Sequence, residues 1–242
     1  MRKSIFLICC VLGLVACDKH DPILPGTRVA IFNSSDVSVL NKNIPDISES
    51  AFVADKTECK YTQDTSNVIW DGNRRVFSGF ATNNSVLSNQ QPICSGKYLY
   101  AGLTTGEVVK LNPKTRQIIW IADVYSNSNL TGGASMVDIV APLVVYKNSV
   151  FAGGLGNAFC KINANSGVKQ WCLGISVPVA FTIAGDYAFV VSSDNNLYAV
   201  SVNNGDVFWR TQIDKQVAPR YEKGIIFVGK QQINAENGKK LK

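Results

Sequence analysis

The sequence predicts an all-β fold, a β-propeller of four-stranded blades, from three observations. Three windows of 24 residues align without a gap and each ends in tryptophan: Lys97–Trp120, Asn148–Trp171 and Asp186–Trp209. Each window alternates short apolar runs with tight turns, a pattern typical of antiparallel strands, and no sustained helical stripe interrupts it. Four-stranded units about 38 to 51 residues apart are typical of propeller blades.

Each unit divides into four predicted strands. A proline precedes the first strand of every unit: Pro92, Pro142, Pro178 and Pro219. Two alternating runs follow, such as Tyr98–Ala101 and Val108–Leu111, and the tryptophan strand closes the unit. The turn before that last strand carries Gly167 or Gly205, because glycine tolerates a positive φ, whereas the first window has Arg116 there.

A fourth copy of the repeat is incomplete. It begins at Gly224–Gly229 and continues at Ile233–Gly238. Roughly five residues are missing between these two segments, which indicates a shortened hairpin. Lys242 stands where a tryptophan is expected. About four blades are therefore recognisable. We expect the four tryptophans to pack between blades, since a periodic aromatic side chain buries a large area there: Trp70, Trp120, Trp171 and Trp209.

The amino terminus predicts a lipoprotein signal peptide over residues 1–16. A charged start and a short apolar core precede Leu14–Cys17, so Cys17 is the predicted lipidation site. The apolar run is too short to cross a bilayer as a helix, which needs about 20 residues. Residues 17–67 are predicted to form a polar tether, and residues 68–242 the propeller.

The remaining composition limits the chemistry. The formal net charge is +6, too diffuse for a nucleic-acid footprint. His20 is the only histidine, so histidine-dependent catalysis and a zinc site have no candidate in the folded body. Asp194–Asn196 could supply oxygen ligands for a metal, but their place in the repeat favours a hairpin turn.

The cysteines leave two interpretations open. Lipidation of Cys17 would leave four cysteines in the mature chain, an even number in an oxidising compartment. Cys160 and Cys172 flank one turn, so they either form a cross-strand disulfide or remain two buried thiols. Nothing in the sequence determines the distance between Cys59 and Cys94.

The repeat segment Ile162–Trp171 resembles the pyrroloquinoline-quinone (PQQ)-type propeller repeat. Quinoprotein dehydrogenases and the BamB family of outer-membrane protein assembly factors share that repeat. Leu24–Arg28 and the tryptophan-containing segment Val68–Asn73 are also similar to BamB. Family members have eight blades, so this chain resembles a shortened form that matches the latter half of the propeller.

The resemblance implies a non-enzymatic scaffold without a cofactor. It implies that the chain assists the assembly and insertion of β-barrel proteins as part of the Bam complex, on the periplasmic face of the outer membrane. The implied partners are a BamA-like barrel-assembly protein and unfolded outer-membrane proteins, and the lipid is the implied membrane anchor. Asp18 after the lipidation site resembles an inner-membrane retention signal, so inner-membrane placement stays open. A PQQ-dependent dehydrogenase and a structural envelope lipoprotein are the alternatives.

The resemblance also implies where a partner would bind. Family members contact BamA through loops on one face, which correspond here to Val86 and Leu87 in one loop and Asp138 in the next. An ordinary inter-blade loop explains these residues equally well. Four blades that do not close would expose terminal edges, and this is compatible with a homodimer.

Overall fold

Five antiparallel sheets follow one another along the chain in the computed structural model, which describes residues 37–45, 47, 59–80, 90–124 and 138–241. The first sheet contains β1 (Thr62–Gln63), β2 (Val68–Asp71) and β3 (Arg74–Ser78). The second contains β4 (Ile93–Ser95), β5 (Tyr98–Gly102), β6 (Glu107–Asn112) and β7 (Gln117–Asp123). The third contains β8 (Val144–Tyr146), β9 (Ser149–Gly154), β10 (Ala158–Asn163) and β11 (Lys169–Leu173). The fourth contains β12 (Phe181–Ala184), β13 (Tyr187–Val191), β14 (Asn196–Ser201) and β15 (Val207–Gln212). The fifth contains β16 (Arg220–Glu222), β17 (Ile225–Val228) and β18 (Gln231–Asn234).

Strand order within each sheet follows chain order, and neighbouring strands are antiparallel. These meanders confirm the predicted all-β fold of propeller blades. The four predicted blades are the second to fifth sheets, and the first strand of each begins within three residues of the predicted proline. The three-stranded first sheet is an additional unit, which the repeat did not reveal.

A register shift recurs between the third and fourth strands of the sheets. Beside the shift, Trp120 pairs with Lys110, Trp171 with Lys161, and Trp209 with Ala199. In the first sheet the equivalent pair is Phe77 with Ile69, while Trp70 lies on β2, opposite Arg75. Trp70 therefore does not occupy the position that Trp120, Trp171 and Trp209 share. The first sheet lies outside the three aligned windows, so the repeat did not place this tryptophan.

Each repeat tryptophan contacts a turn of the next sheet. The indole N–H groups of Trp120, Trp171 and Trp209 donate to the carbonyls of Ala164, Val202 and Ala235, over 3.1, 3.3 and 3.1 Å. Three residues after each acceptor lies a glycine with positive φ: Gly167, Gly205 and Gly238. A Cβ atom on these glycines would lie 2.8, 3.0 and 2.7 Å from the tryptophan ring. We call this arrangement the tryptophan–turn contact.

The core consists of four apolar clusters, each between two consecutive sheets. Beside the tryptophans, Tyr100, Phe151 and Phe189 place their ring centroids 6.0, 6.0 and 5.9 Å from the indoles of their own sheets. Burying a large apolar side chain contributes roughly 1.5–3 kcal/mol, so these clusters hold the sheets together. Among the described residues, no cluster joins the first sheet to the fifth.

Two parts of the predicted tether, residues 37–44 and 59–63, belong to this architecture. Val39 forms a parallel bridge with Val207, and the amides of Leu40 and Lys42 donate to the carbonyls of Val207 and Phe208. Ile44 is 1% exposed and packs between the fourth and fifth sheets. Residues 37–44 therefore cover the beginning of the outer edge of β15, at Val207 and Phe208. Strand β1 likewise begins before the expected start at residue 68.

Two disulfides link parts of the sheets. Cys160 and Cys172 are directly opposite on β10 and β11, with 4.1 Å between their Cα atoms. Cys59 precedes the first sheet and is joined to Cys94 on β4 of the second. The first bond lies within one sheet, whereas the second connects two.

A lysine is buried between the second and third sheets. Lys110 is 3% exposed, and its Nζ atom donates over 2.6 Å to the Ala164 carbonyl, which also accepts from Trp120. The ammonium group lies 4.1 Å from the ring centroid of Tyr98, within the range of a cation–π contact. Burial lowers the pKa of Lys110 because the charged form loses hydration.

Substitution of Gly205 tests the tryptophan–turn contact. Gly205 and Gly224 share a φ of 81°, but only at Gly205 would a Cβ atom meet the Trp171 ring. Both Gly→Ala variants carry the same backbone strain, about 1–2 kcal/mol. Overpacking adds roughly 1–3 kcal/mol at Gly205 alone. We expect urea unfolding to show the larger loss for Gly205→Ala, and equal losses would contradict the contact.

Substitution of Lys110 gives a pH test. The pKa of Lys110 is lowered in the folded state, relative to 10.5 for an ordinary lysine. Between these two pKa values, the unfolded chain binds more protons at this position than the folded protein does. The free energy of unfolding should therefore rise with pH relative to a Lys110→Met variant. Urea titrations from about pH 7 to about pH 9.5 measure this difference. The exposed Lys239→Met variant is the control, and a flat or falling difference would refute the assignment.

Candidate partner-docking face

Four turns and the connections between sheets lie at the same end of the strands. In a four-stranded meander, the turn between strands two and three and the exit from strand four share one end. We call this end the loop face, and its described parts are the turns 64–67, 103–106, 155–157 and 192–195 and the connections 138–143, 174–180 and 213–219. Both predicted partner loops, ahead of Pro92 and Pro142, begin and end there.

Backbone hydrogen bonds join the turns to the connections. The amides of Leu155, Ser193 and Ile213 donate to the carbonyls of Asp138, Ser176 and Asn195 over 2.9, 3.0 and 2.8 Å. Each bond pairs a turn of one sheet with a connection to the sheet before or after it. Since paired backbone groups hold a loop in one conformation, this part of the loop face is a defined surface.

Asp138 lies inside the loop face. It is 2% exposed, and a Cβ atom on Gly154 would lie 2.2 Å from its carbonyl oxygen, so only glycine permits the approach. The adjacent Ile139 is 1% exposed and fills the space where Gly102 lacks a side chain. The carboxylate of Asp138 is thus part of the loop interior. Direct contact between this residue and a partner stays a prediction.

Buried amides join the first sheet to the second at this face. Asn67 is fully buried with φ 61°, and its Oδ1 atom accepts from the Thr104 amide over 2.9 Å. Its Nδ2 group donates to the Thr104 hydroxyl and the Phe80 carbonyl, each over 2.8 Å. Gln63 donates over 2.8 Å to the Gly102 carbonyl. The sequence analysis missed these residues, although aligning the turns 64–67 and 103–106 would have placed Asn67 at a positive-φ position.

The first turn also holds a carboxylate that accepts three hydrogen bonds. Burial raises the pKa of Asp64, but hydrogen bonds from the Trp70 indole, the Val68 amide and the Ser66 amide outweigh it and keep the pKa below its usual value. The indole bond measures 2.9 Å. Trp70 therefore stabilises a turn of its own sheet, which is its place in the structure instead of the tryptophan–turn contact.

Asp194 uses its oxygens within the fourth sheet. Its Oδ2 atom accepts from the Tyr198 hydroxyl over 2.7 Å, and its Oδ1 atom accepts from the Asn196 amide. Asn195 has φ 58° and accepts from Gln216 over 2.9 Å. These three residues form the hairpin turn that the repeat indicates. Across the described ranges, no group of three or more His, Cys, Asp or Glu side chains is arranged to hold a metal ion.

Three predicted site residues fall outside the described ranges: the lipidation site Cys17 and the partner-loop residues Val86 and Leu87. On either side of the first partner loop, Gly79 donates to the Asn67 carbonyl and Gln90 donates to the Val140 carbonyl. The loop is thus held at both ends by described residues of the loop face. In the part of the chain that the structure covers, no helix has the length and apolarity to span a membrane.

Comparison with known proteins identifies similar chains. The family model described as outer membrane protein assembly factor BamB matches residues 25–211. Proteins of that name from Alkalilimnicola ehrlichii and Francisella tularensis are 24% identical over 122 residues and 25% identical over 162 residues. The crystal structure of BamB from Moraxella catarrhalis has a TM-score of 0.63 at 16% identity, which is a similarity of fold.

The alignments cover a larger share of this chain than of the similar proteins. The alignments cover 50% and 64% of this chain but 32% and 36% of the curated relatives, so the match spans about a third of their length. The structural match covers 79% of this chain and 62% of the Moraxella protein.

Asn67→Ala tests the rigidity of the loop face. The variant loses three buried hydrogen bonds and leaves the Thr104 groups without this partner, so we expect a loss of about 2–4 kcal/mol. Asn157 has nearly the same φ, 60°, at the equivalent turn, and its Oδ1 atom accepts no hydrogen bond. Asn157→Ala is therefore the matched control. Chemical denaturation would contradict the network if both variants lost equal stability.

Proposed function

Since this chain belongs to the family of the outer membrane protein assembly factor BamB, we propose that it is a periplasmic scaffold for outer-membrane assembly. It assists the assembly and insertion of β-barrel proteins as part of a Bam complex, where it docks on a BamA-like protein and meets unfolded outer-membrane proteins. The observation that carries this proposal is the family match over residues 25–211. The propeller sheets position the loops on which docking takes place.

The loop face is the proposed docking surface. Its turns and connections are joined by backbone hydrogen bonds and by the buried amides of Asn67 and Gln63. A surface that is ordered before binding loses less conformational entropy in the complex. Val86 and Leu87 are the proposed apolar anchors, since buried apolar side chains contribute most to such contacts. Asp138 contributes through the shape of its loop because its side chain is buried.

We propose no catalytic role for this protein. The chain has one histidine, His20, and its only adjacent cysteine pair, Cys9 and Cys10, lies in the predicted signal peptide. A quinoprotein dehydrogenase would need a carboxylate base and oxygen ligands for a metal ion. The best sequence candidate, Asp194, accepts hydrogen bonds from Tyr198 and Asn196 within its own turn. These residues favour a binding surface over the enzyme alternative.

The proposed anchor is a lipid on Cys17. The predicted signal peptide ends directly before it, and several acyl chains at about 0.8 kcal/mol per buried CH₂ group would hold the protein at a membrane. We place it at the periplasmic face of the outer membrane, as the family name implies. Asp18 makes the inner membrane the alternative location.

Affinity capture tests the docking proposal. The protein is captured at its natural level from envelopes of its own organism, and the recovery of a BamA-like protein is measured by quantitative mass spectrometry. We expect the Val86→Glu, Leu87→Glu double variant to reduce recovery at least about tenfold, since charges would replace both apolar anchors.

Val168→Glu is the matched control. Val168 is 62% exposed and lies between β10 and β11, at the end of the sheets opposite the loop face. Its variant should recover the partner as the original chain does. Failure of the original chain to recover any BamA-like protein would refute the function, whereas equal loss in both variants would refute the docking surface.

A further inference from the structure

The last strand of a sheet has an outer edge, whose unpaired backbone groups attract other strands. Three such edges are protected. Strand β3 carries exposed Arg74 and Arg75, and β11 begins with Lys169 and the exposed Gln170. The edge of β15 is covered at Val207 and Phe208 by residues 37–44. Charges and covering segments are the usual means by which proteins prevent pairing at sheet edges.

No segment among the described residues covers strand β7, and its one charged residue is Asp123 at its end. Its apolar side chains Ile118, Ile119 and Ile121 are 46%, 38% and 51% exposed. No ionisable residue lies between Gln117 and Ala122. Trp120 and Ala122 pack toward the third sheet, so the three isoleucines form a separate apolar surface along the outer edge. Long, exposed, apolar edges of this kind pair with other strands.

We propose that β7 pairs antiparallel with β7 of a second copy of this chain, about a twofold axis. The charges at the ends of the strand support this occupant. Arg116 precedes β7 and Asp123 ends it, and both are exposed. An antiparallel arrangement centred between Ile119 and Trp120 places Arg116 opposite Asp123 of the second copy, twice by symmetry.

The same arrangement matches the apolar residues. Ile118 lies opposite Ile121 of the second copy, so the exposed isoleucines cover each other across the axis. A parallel arrangement would place like charges together, Arg116 against Arg116 and Asp123 against Asp123, which is unfavourable. The charge pattern therefore selects the antiparallel pair. It joins the second sheets of both copies into one continuous sheet.

The fourth sheet shows that an outer edge of this kind accepts an extended segment. Register makes Val207 and Phe208 the equivalents of Ile118 and Ile119, and their carbonyls accept from Leu40 and Lys42 over 2.9 and 3.0 Å. A single pair of strands forms a small interface, less than about 1,200 Å². The dimer should therefore dissociate in the roughly micromolar range.

Charge exchange tests the pairing and its register. The purified full chain is studied in a density-matched detergent by sedimentation equilibrium across about 1–500 μM, a range that spans the dissociation constant expected for a small interface. Arg116→Asp and Asp123→Arg each create two like-charged contacts, so each should weaken the dimer about tenfold. The double variant Arg116→Asp, Asp123→Arg restores opposite charges and should return to within about threefold of the original chain.

Two further variants address the apolar surface. Ile118→Lys with Ile121→Lys places charges on the edge and should give a monomer. Val168→Lys changes an exposed valine between β10 and β11 and should leave the dimer unchanged. A monomer at every concentration of the original chain would overturn the proposal. The proposal would also be overturned if the isoleucine double variant still formed the dimer. It would be overturned as well if the double charge variant did not restore the dimer that the single charge variants weaken.

Discussion

The tryptophan–turn contact is the interaction on which the arrangement of the sheets depends. A flat indole lies against a turn whose glycine lacks a Cβ atom. The ring and the turn therefore approach more closely than they could with any other residue in place of the glycine. The indole N–H group satisfies a carbonyl of that turn, and an unsatisfied buried carbonyl would cost free energy. Because the contact joins only neighbouring sheets, each sheet is stabilised by the sheets directly before and after it, as in repeat proteins.

The interface between the first and second sheets is built differently. Phe77 stands at the tryptophan position and has no N–H group, and Arg116 stands where the other turns have glycine, although it keeps a positive φ of 60°. Hydrogen bonds of Asn67 and Gln63 and the Cys59–Cys94 disulfide connect these two sheets instead. The absence of this contact is therefore accompanied by polar links at the loop face, where the proposed partner docks, and by a disulfide between the two sheets.

The outer edges of the sheets need protection for a separate reason. The last strand of a sheet has a neighbour on one side only, and its other row of backbone groups is left unpaired. Charged residues protect β3, whereas a segment more than a hundred residues away in sequence covers β15. Strand β7 has an apolar edge with opposite charges at its ends, and the proposed pairing with β7 of a second copy would cover this edge. The loop face stays available for a different partner because it lies at the ends of the strands.

Local, periodic features determined the propeller from sequence alone: the alternating strands, the prolines before them and the glycines of the turns all lie within one repeat unit. The lipidation site and the partner residues Val86 and Leu87 stay predictions. Tertiary structure decided the place of Trp70, which lies on β2, one strand before the strand that corresponds to β7, β11 and β15. It also decided the burial of Lys110 and Asp138 and the pairing of Val39 with Val207. The partners of these residues lie in other sheets, and a periodic pattern carries no information about contacts between distant segments.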